Sequence, residues 1–200
     1  MSNRPRTLAD LQSVSKKLVV VTGISGSGKT TLASIISNKL NGVEYSVDAL
    51  KVHVYESAGF IDLEERIILN DLAKQMFKRD VMLALRAEIA TVVVEYPFVI
   101  EWQNFFAHEA KNYNYTLIVI NCNTLSFDKI WERRLKRDLD ETVRPKCLIA
   151  EQYISNKLFT QDNKLEEAHK LEQCEMYKNG YYTSITGDYN YTDAEIYAML

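Results

Sequence analysis

The stretch Gly23-Ile24-Ser25-Gly26-Ser27-Gly28-Lys29-Thr30 constrains this chain more than any other. It satisfies the pattern G-x-x-x-x-G-K-[ST] at every fixed position. Before it, Leu18-Val19-Val20-Val21 is a short, β-branched apolar run that reads as a buried parallel strand. After it, Thr31 to Leu40 carries apolar residues at helical spacing and ends at Asn41-Gly42. In such a loop, glycines let backbone N–H groups turn inward around phosphate oxygens, and the helix start adds a positive dipole end. Gly23, Ser25, Gly26, Ser27, Gly28, Lys29, Thr30 and Thr31 are therefore the candidate nucleotide-phosphate contacts. Lys29 would reach the β- and γ-phosphates, and the Thr30 hydroxyl would ligate Mg²⁺.

Two hundred residues suit a single domain with a sizeable core. Residues 1–17 read as an N-terminal extension and 18–200 as the domain. A net charge of −3 gives no global attraction to nucleic acid or to an anionic membrane, so neither is expected as a partner. No apolar run reaches the length of a membrane span. Cys122, Cys147 and Cys174 are far apart, odd in number and without a C-x-x-C, which argues for reduced thiols, a cytoplasmic location and no zinc. A monomer or a homodimer is expected.

Along the chain, Val43–Val47 reads as a second strand ending in Asp48, and about Asp62 to Ile89 as one long helix with an apolar stripe. Thr91–Val94 is a third strand closed by Glu95, Val99–Lys111 a helix, and Tyr115–Asn121 a fourth strand. Phe127–Leu139 is a charged helix, about 147–177 helical with breaks, Tyr181–Thr186 a fifth strand and Asp193–Leu200 a last helix. Strands alternating with helices predict an α/β fold with a parallel sheet, whose ligands sit beyond the carboxyl ends of the strands. The glycine loop, Asp48 and Glu95 all fall there.

Asp48 is placed to orient an acceptor hydroxyl and take its proton. An Asp at this position equally caps a following helix. Glu95 after four strand residues would hold Mg²⁺ beside Thr30, with pairing to a nearby Lys or Arg as the alternative. Arg133-Arg134-Leu135-Lys136-Arg137-Asp138, followed by Arg144-Pro145-Lys146, is the dense cationic stretch. Its i,i+4 pairs suit a solvated helix. Its arginines, Arg137 and Arg144 above all, also suit a lid that stabilises charge on a moving phosphoryl group.

Taken together, Gly23–Thr30, the strand ending at Asp48, Val92-Val93-Val94-Glu95 and the Arg133–Asp138 run resemble the small P-loop kinases. The basic run is similar to the R-R-x-x-R-D of uridine kinases. Gly59 through Val94 looks more like the AAA-type kinases grouped with zeta toxins and polynucleotide kinases. The resemblance spans most of residues 18 to 190. It implies a three-layer P-loop NTPase fold of the nucleoside-monophosphate-kinase type, with a five-stranded parallel sheet and a helical lid at about 133–147. It also implies ATP and Mg²⁺, and puts Lys29, Thr30, Asp48, Glu95, Arg133, Arg137 and Arg144 at functional positions. Glu141-Thr142-Val143-Arg144 departs from the E-R-G-R of uridine kinases, so uridine is not assigned as the acceptor.

The expected activity is ATP-dependent transfer of the γ-phosphate to a hydroxyl of a small molecule such as a nucleoside or sugar. Lys29, Asp48 and Arg137 would be catalytic, Arg133 and Arg144 would bind nucleotide, and Thr30 and Glu95 would hold metal. The alternatives are a polynucleotide 5′-hydroxyl kinase and a nucleotide-switched, GTPase-like regulatory protein.

Overall fold

In the computed structural model, the described residues are 15–122, 127–139, 164–166, 168–169, 181–185 and 194. Strand β1 (Lys17–Thr22) runs into the glycine loop and helix α1 (Lys29–Leu40). Strand β2 (Val43–Ser46) passes directly into α2 (Val47–Ala58), and α3 (Leu63–Arg86) leads to β3 (Thr91–Glu95). Helix α4 (Ile100–Asn112), β4 (Thr116–Cys122) and α5 (Phe127–Leu139) follow.

The strands lie side by side as β2-β3-β1-β4, every pairing parallel, and the Tyr181–Ile185 backbone (β5) pairs in parallel outside β4. This is an α/β fold with a parallel sheet. Alternation along β1 splits its side chains between two cores. Leu18 and Val20 join Phe77, Val81 and Leu85 of α3 and Trp102 and Phe106 of α4. Val19 and Val21 join Leu32, Ala33 and Ile36 of α1 on the opposite face. Both faces of the central strands are thus covered, which is why β1 and β3 read as unbroken apolar runs.

Local signals set the helix ends. Asp62 caps α3, its Oδ1 accepting from the Glu65 N–H at 2.8 Å, while Glu65 Oε2 accepts from the Ile61 N–H at 2.9 Å. This reciprocal arrangement satisfies donors that would otherwise be orphaned. Tyr115 donates its hydroxyl to the Ile89 carbonyl at 2.7 Å and fastens the turn entering β3 to the start of β4. The chain before β1 is engaged as well, since Thr116 N–H donates to the Lys16 carbonyl at 2.8 Å.

One element departs from the sequence reading. Asp48 was expected at the end of a strand, but β2 stops at Ser46 and Asp48 lies in the first turn of α2. Ser46 is the reason. Its Oγ accepts from the Ala49 N–H at 3.4 Å, so Ser46 caps the helix and the helix begins at Val47, one residue before Asp48. The helices expected over 147–177 and 193–200 lie almost wholly outside the described residues.

Candidate active site

The glycine loop joins the carboxyl end of β1 to the amino end of α1, and two of its glycines are required by close approach. Gly23 has φ +145°, and a Cβ there would lie 2.7 Å from the Cys122 carbonyl oxygen and 2.8 Å from Ser27 Oγ. Gly26 has φ +88°, and a Cβ there would lie 3.0 Å from the Ile130 carbonyl oxygen. The second contact is informative, because Ile130 belongs to α5. The basic helix therefore rests directly on the loop.

A cavity of about 270 Å³ forms between them. Gly26, Gly28, Lys29, Thr30 and Thr31 line one side, and Arg133 and Arg137 the other. The Arg137 guanidinium donates to Ser25 Oγ at 3.0 Å, which ties α5 to the loop. Three cationic side chains thus meet a helix N-terminus in one concave space, an arrangement that favours a polyanion. Ser27 Oγ is buried with no hydrogen-bond partner in the structure. A buried hydroxyl left so is costly unless a ligand completes it.

Glu95 ends β3 and is buried. Two groups hold it: Lys29 Nζ at 3.8 Å from Oε1, and Ser46 Oγ, which donates to Oε2 at 2.8 Å. Lys29 also donates to the Ile24 carbonyl at 3.1 Å. The strand register explains the meeting, since Glu95 lies opposite Val21 on one side and Ser46 on the other. Beyond Glu95 the chain stays pinned to the loop strand, Tyr96 N–H donating to Val21 O at 3.3 Å and Phe98 N–H to Gly23 O at 3.2 Å.

Asp48 is partly exposed and pairs with Lys51 at 3.2 Å. Arg144 lies outside the described residues. Two contributors were not singled out in the sequence. Ser46 was missed although a Ser followed by an acidic residue in the next turn is a helix-start signal. Cys122 was noted only as a thiol, yet its backbone abuts Gly23. Burial pushes the Cys122 thiol up to about 12, with Lys29 lowering it and Glu95 raising it to smaller extents.

Among the described residues no cluster of three or more His, Cys, Asp or Glu could hold a metal by itself. Mg²⁺ typically uses one or two protein oxygens with water and substrate phosphates completing the shell, and Thr30 and Glu95 supply donors of that kind.

Solved structures share this architecture. A protein of Chloroflexus aurantiacus J-10-fl solved as a candidate kinase superposes with a TM-score of 0.63 at 20% identity, covering 92% of this chain and 93% of its own. A gluconokinase from Sinorhizobium meliloti 1021 matches with a TM-score of 0.53 at 16% identity, covering 92% of this chain and 90% of its own. A chain of the Pnkp1/Rnl/Hen1 RNA repair complex matches with a TM-score of 0.57 at 16% identity, over 83% of this chain and 47% of its own. The structural neighbours are small P-loop kinases, and the fold is theirs. No protein-family model and no curated sequence matches the chain. No described helix is long and apolar enough to cross a membrane.

Proposed function

We propose that this chain is an ATP-dependent kinase that phosphorylates a hydroxyl of a small-molecule acceptor. The cavity shared by the glycine loop and α5 carries this reading, with Lys29 on its floor and Arg133 and Arg137 opposite. The finer architecture proposed with it is the five-stranded, three-layer kinase form with α5 as part of a lid.

Each group has a task. The loop N–H groups and Lys29 hold the nucleotide phosphates. Arg133 and Arg137 neutralise charge that builds on the transferring phosphoryl group, with Arg144 proposed to join them. Thr30 and Glu95 hold Mg²⁺, which when bound neutralises phosphate charge. Asp48 orients the acceptor and takes its proton as the hydroxyl oxygen bonds to the γ-phosphorus and the bond to the ADP oxygen breaks. A sequence pI near 5.7 favours a small acceptor over a polynucleotide, whose binders carry basic surfaces.

The test is ADP release with Mg²⁺-ATP against nucleosides, sugars, nucleoside monophosphates, sugar nucleotides and 5′-hydroxyl oligonucleotides. Stimulation by one hydroxyl class, lost in Lys29→Ala and Asp48→Ala, supports the reading and names the acceptor. Stimulation by a monophosphate with Asp48→Ala still active removes the base role. Nucleotide binding without any stimulated turnover would replace the kinase with a nucleotide-switched protein.

A further inference from the structure

Helix α3 keeps only one side in the core. Ala73, Phe77, Val81, Ala84 and Leu85 are buried there. Its outer side mixes exposed apolar residues with charged ones. Ile68 is 62% exposed, Leu72 45% and Met82 37%, with Ile67 and Leu83 exposed beside them. The outward positions Ile68, Leu72, Gln75, Arg79, Met82 and Arg86 recur at alternating spacings of four and three. These positions share one face of the helix, with Ile68, Leu72 and Met82 as its apolar part and Gln75, Arg79 and Arg86 as its polar part.

Charge along the same helix is unevenly divided. Glu64, Glu65 and Asp71 outnumber Arg66 and Lys74 in its first half, while Lys78, Arg79 and Arg86 outnumber Asp80 in its second. Two copies laid antiparallel would set each net acidic half against a net basic half. Centring the crossing on Gln75 places Ile68 of one copy over Met82 of the other, Asp71 opposite Arg79, and Glu64 opposite Arg86. Met82 and Arg79 also border a groove of about 350 Å³ with Leu83, Arg86 and Tyr113, which gives an incoming aliphatic side chain a place to enter.

We propose that this face binds a second copy of the chain, as a two-fold dimer built on antiparallel α3 helices. The present partners of the charged residues do not compete strongly. Asp71 pairs with Lys74 at 2.8 Å and Arg79 with Asp80 at 2.8 Å, both exposed local pairs of the kind that contributes little. Lys78 lies over the Trp102 ring at 4.8 Å and stays within its own subunit. The arrangement is isologous and closes on itself, so it makes dimers and not fibres.

Sedimentation velocity of the full-length chain across a concentration series tests it. Wild type is expected to move from 23.1 kDa towards twice that mass as concentration rises. Asp71→Arg and Arg79→Asp should each weaken association at least tenfold, and the double variant Asp71→Arg/Arg79→Asp should restore it. Residues 71 and 79 stand about 12 Å apart along one helix, so rescue reports a contact between copies and not a repaired local pair. Far-UV circular dichroism and nucleotide binding confirm that each variant is folded. A chain that stays monomeric throughout, or a dimer indifferent to the single reversals, overturns the proposal.

Discussion

Ser46 Oγ donates to Glu95 Oε2 at 2.8 Å while accepting the Ala49 N–H, so one hydroxyl sets both the start of α2 and the orientation of a buried carboxylate. Ser46→Ala should therefore have two separable effects. Losing the cap costs about 1 kcal/mol in denaturant unfolding. Losing the donor to Glu95 lowers turnover about tenfold, as removal of an orienting partner commonly does, and raises the Mg²⁺ concentration needed. Ser46→Thr should recover both, and an unchanged Mg²⁺ requirement in Ser46→Ala would remove Ser46 from the site.

Lys29 and Glu95 form a buried pair. Lys29→Met strands the carboxylate and should destabilise the fold by about 3 kcal/mol. Adding Glu95→Gln should return much of that loss, because the stranded charge is gone while Ser46 keeps an oxygen to bond. A double-mutant cycle from urea unfolding measures the coupling. Additive losses would show that the two groups do not depend on one another.

Arg137 reaches Ser25 from α5 and borders the same cavity as Lys29. Arg137→Ala should lower kcat/KM about 100-fold, the scale for removing a preorganised donor to developing charge. Arg137→Lys should recover little, because an ammonium lacks the planar fork of donors. Steady-state kinetics decide, and full recovery by Lys would reduce the role to simple charge.

Cys122 should be inert to maleimide at pH 8 in the native chain and reactive in denaturant, measured with Cys147→Ser and Cys174→Ser in place. Its burial raises the thiol from 9.0 to about 12. The folded state then holds a proton that the unfolded state releases, so this contribution is present below pH 9 and is lost as pH rises towards 12. The stability advantage of wild type over Cys122→Ala should shrink across that window.

The sequence foretold what repeats a strong local rule. The fixed glycines, the unbroken β-branched runs of β1 and β3 and the long periodicity of α3 needed no tertiary information. Asp48 and Ser46 were different. Val47-Asp48-Ala49-Leu50-Lys51-Val52 mixes β-branched with helix-favouring residues, so its period is ambiguous, and the Ser46 cap decided the matter for helix. The contact of Gly26 with Ile130 joins elements more than a hundred residues apart. Nothing local encodes that approach beyond the absence of a side chain at position 26.

Strand β2 forms the outer margin of the sheet, and an open margin invites other polypeptides to add strands. Here the invitation is short and electrostatically guarded. The strand has four residues, and Glu44 sits in its middle with its carboxyl raised by burial, with Ser34 lowering it and Glu95 raising it further to smaller extents. The guard is therefore strongest near neutrality and weakens as Glu44 takes up a proton on acidification. Protonating Glu44 on the acidic side therefore takes a charge off the outermost strand of the sheet.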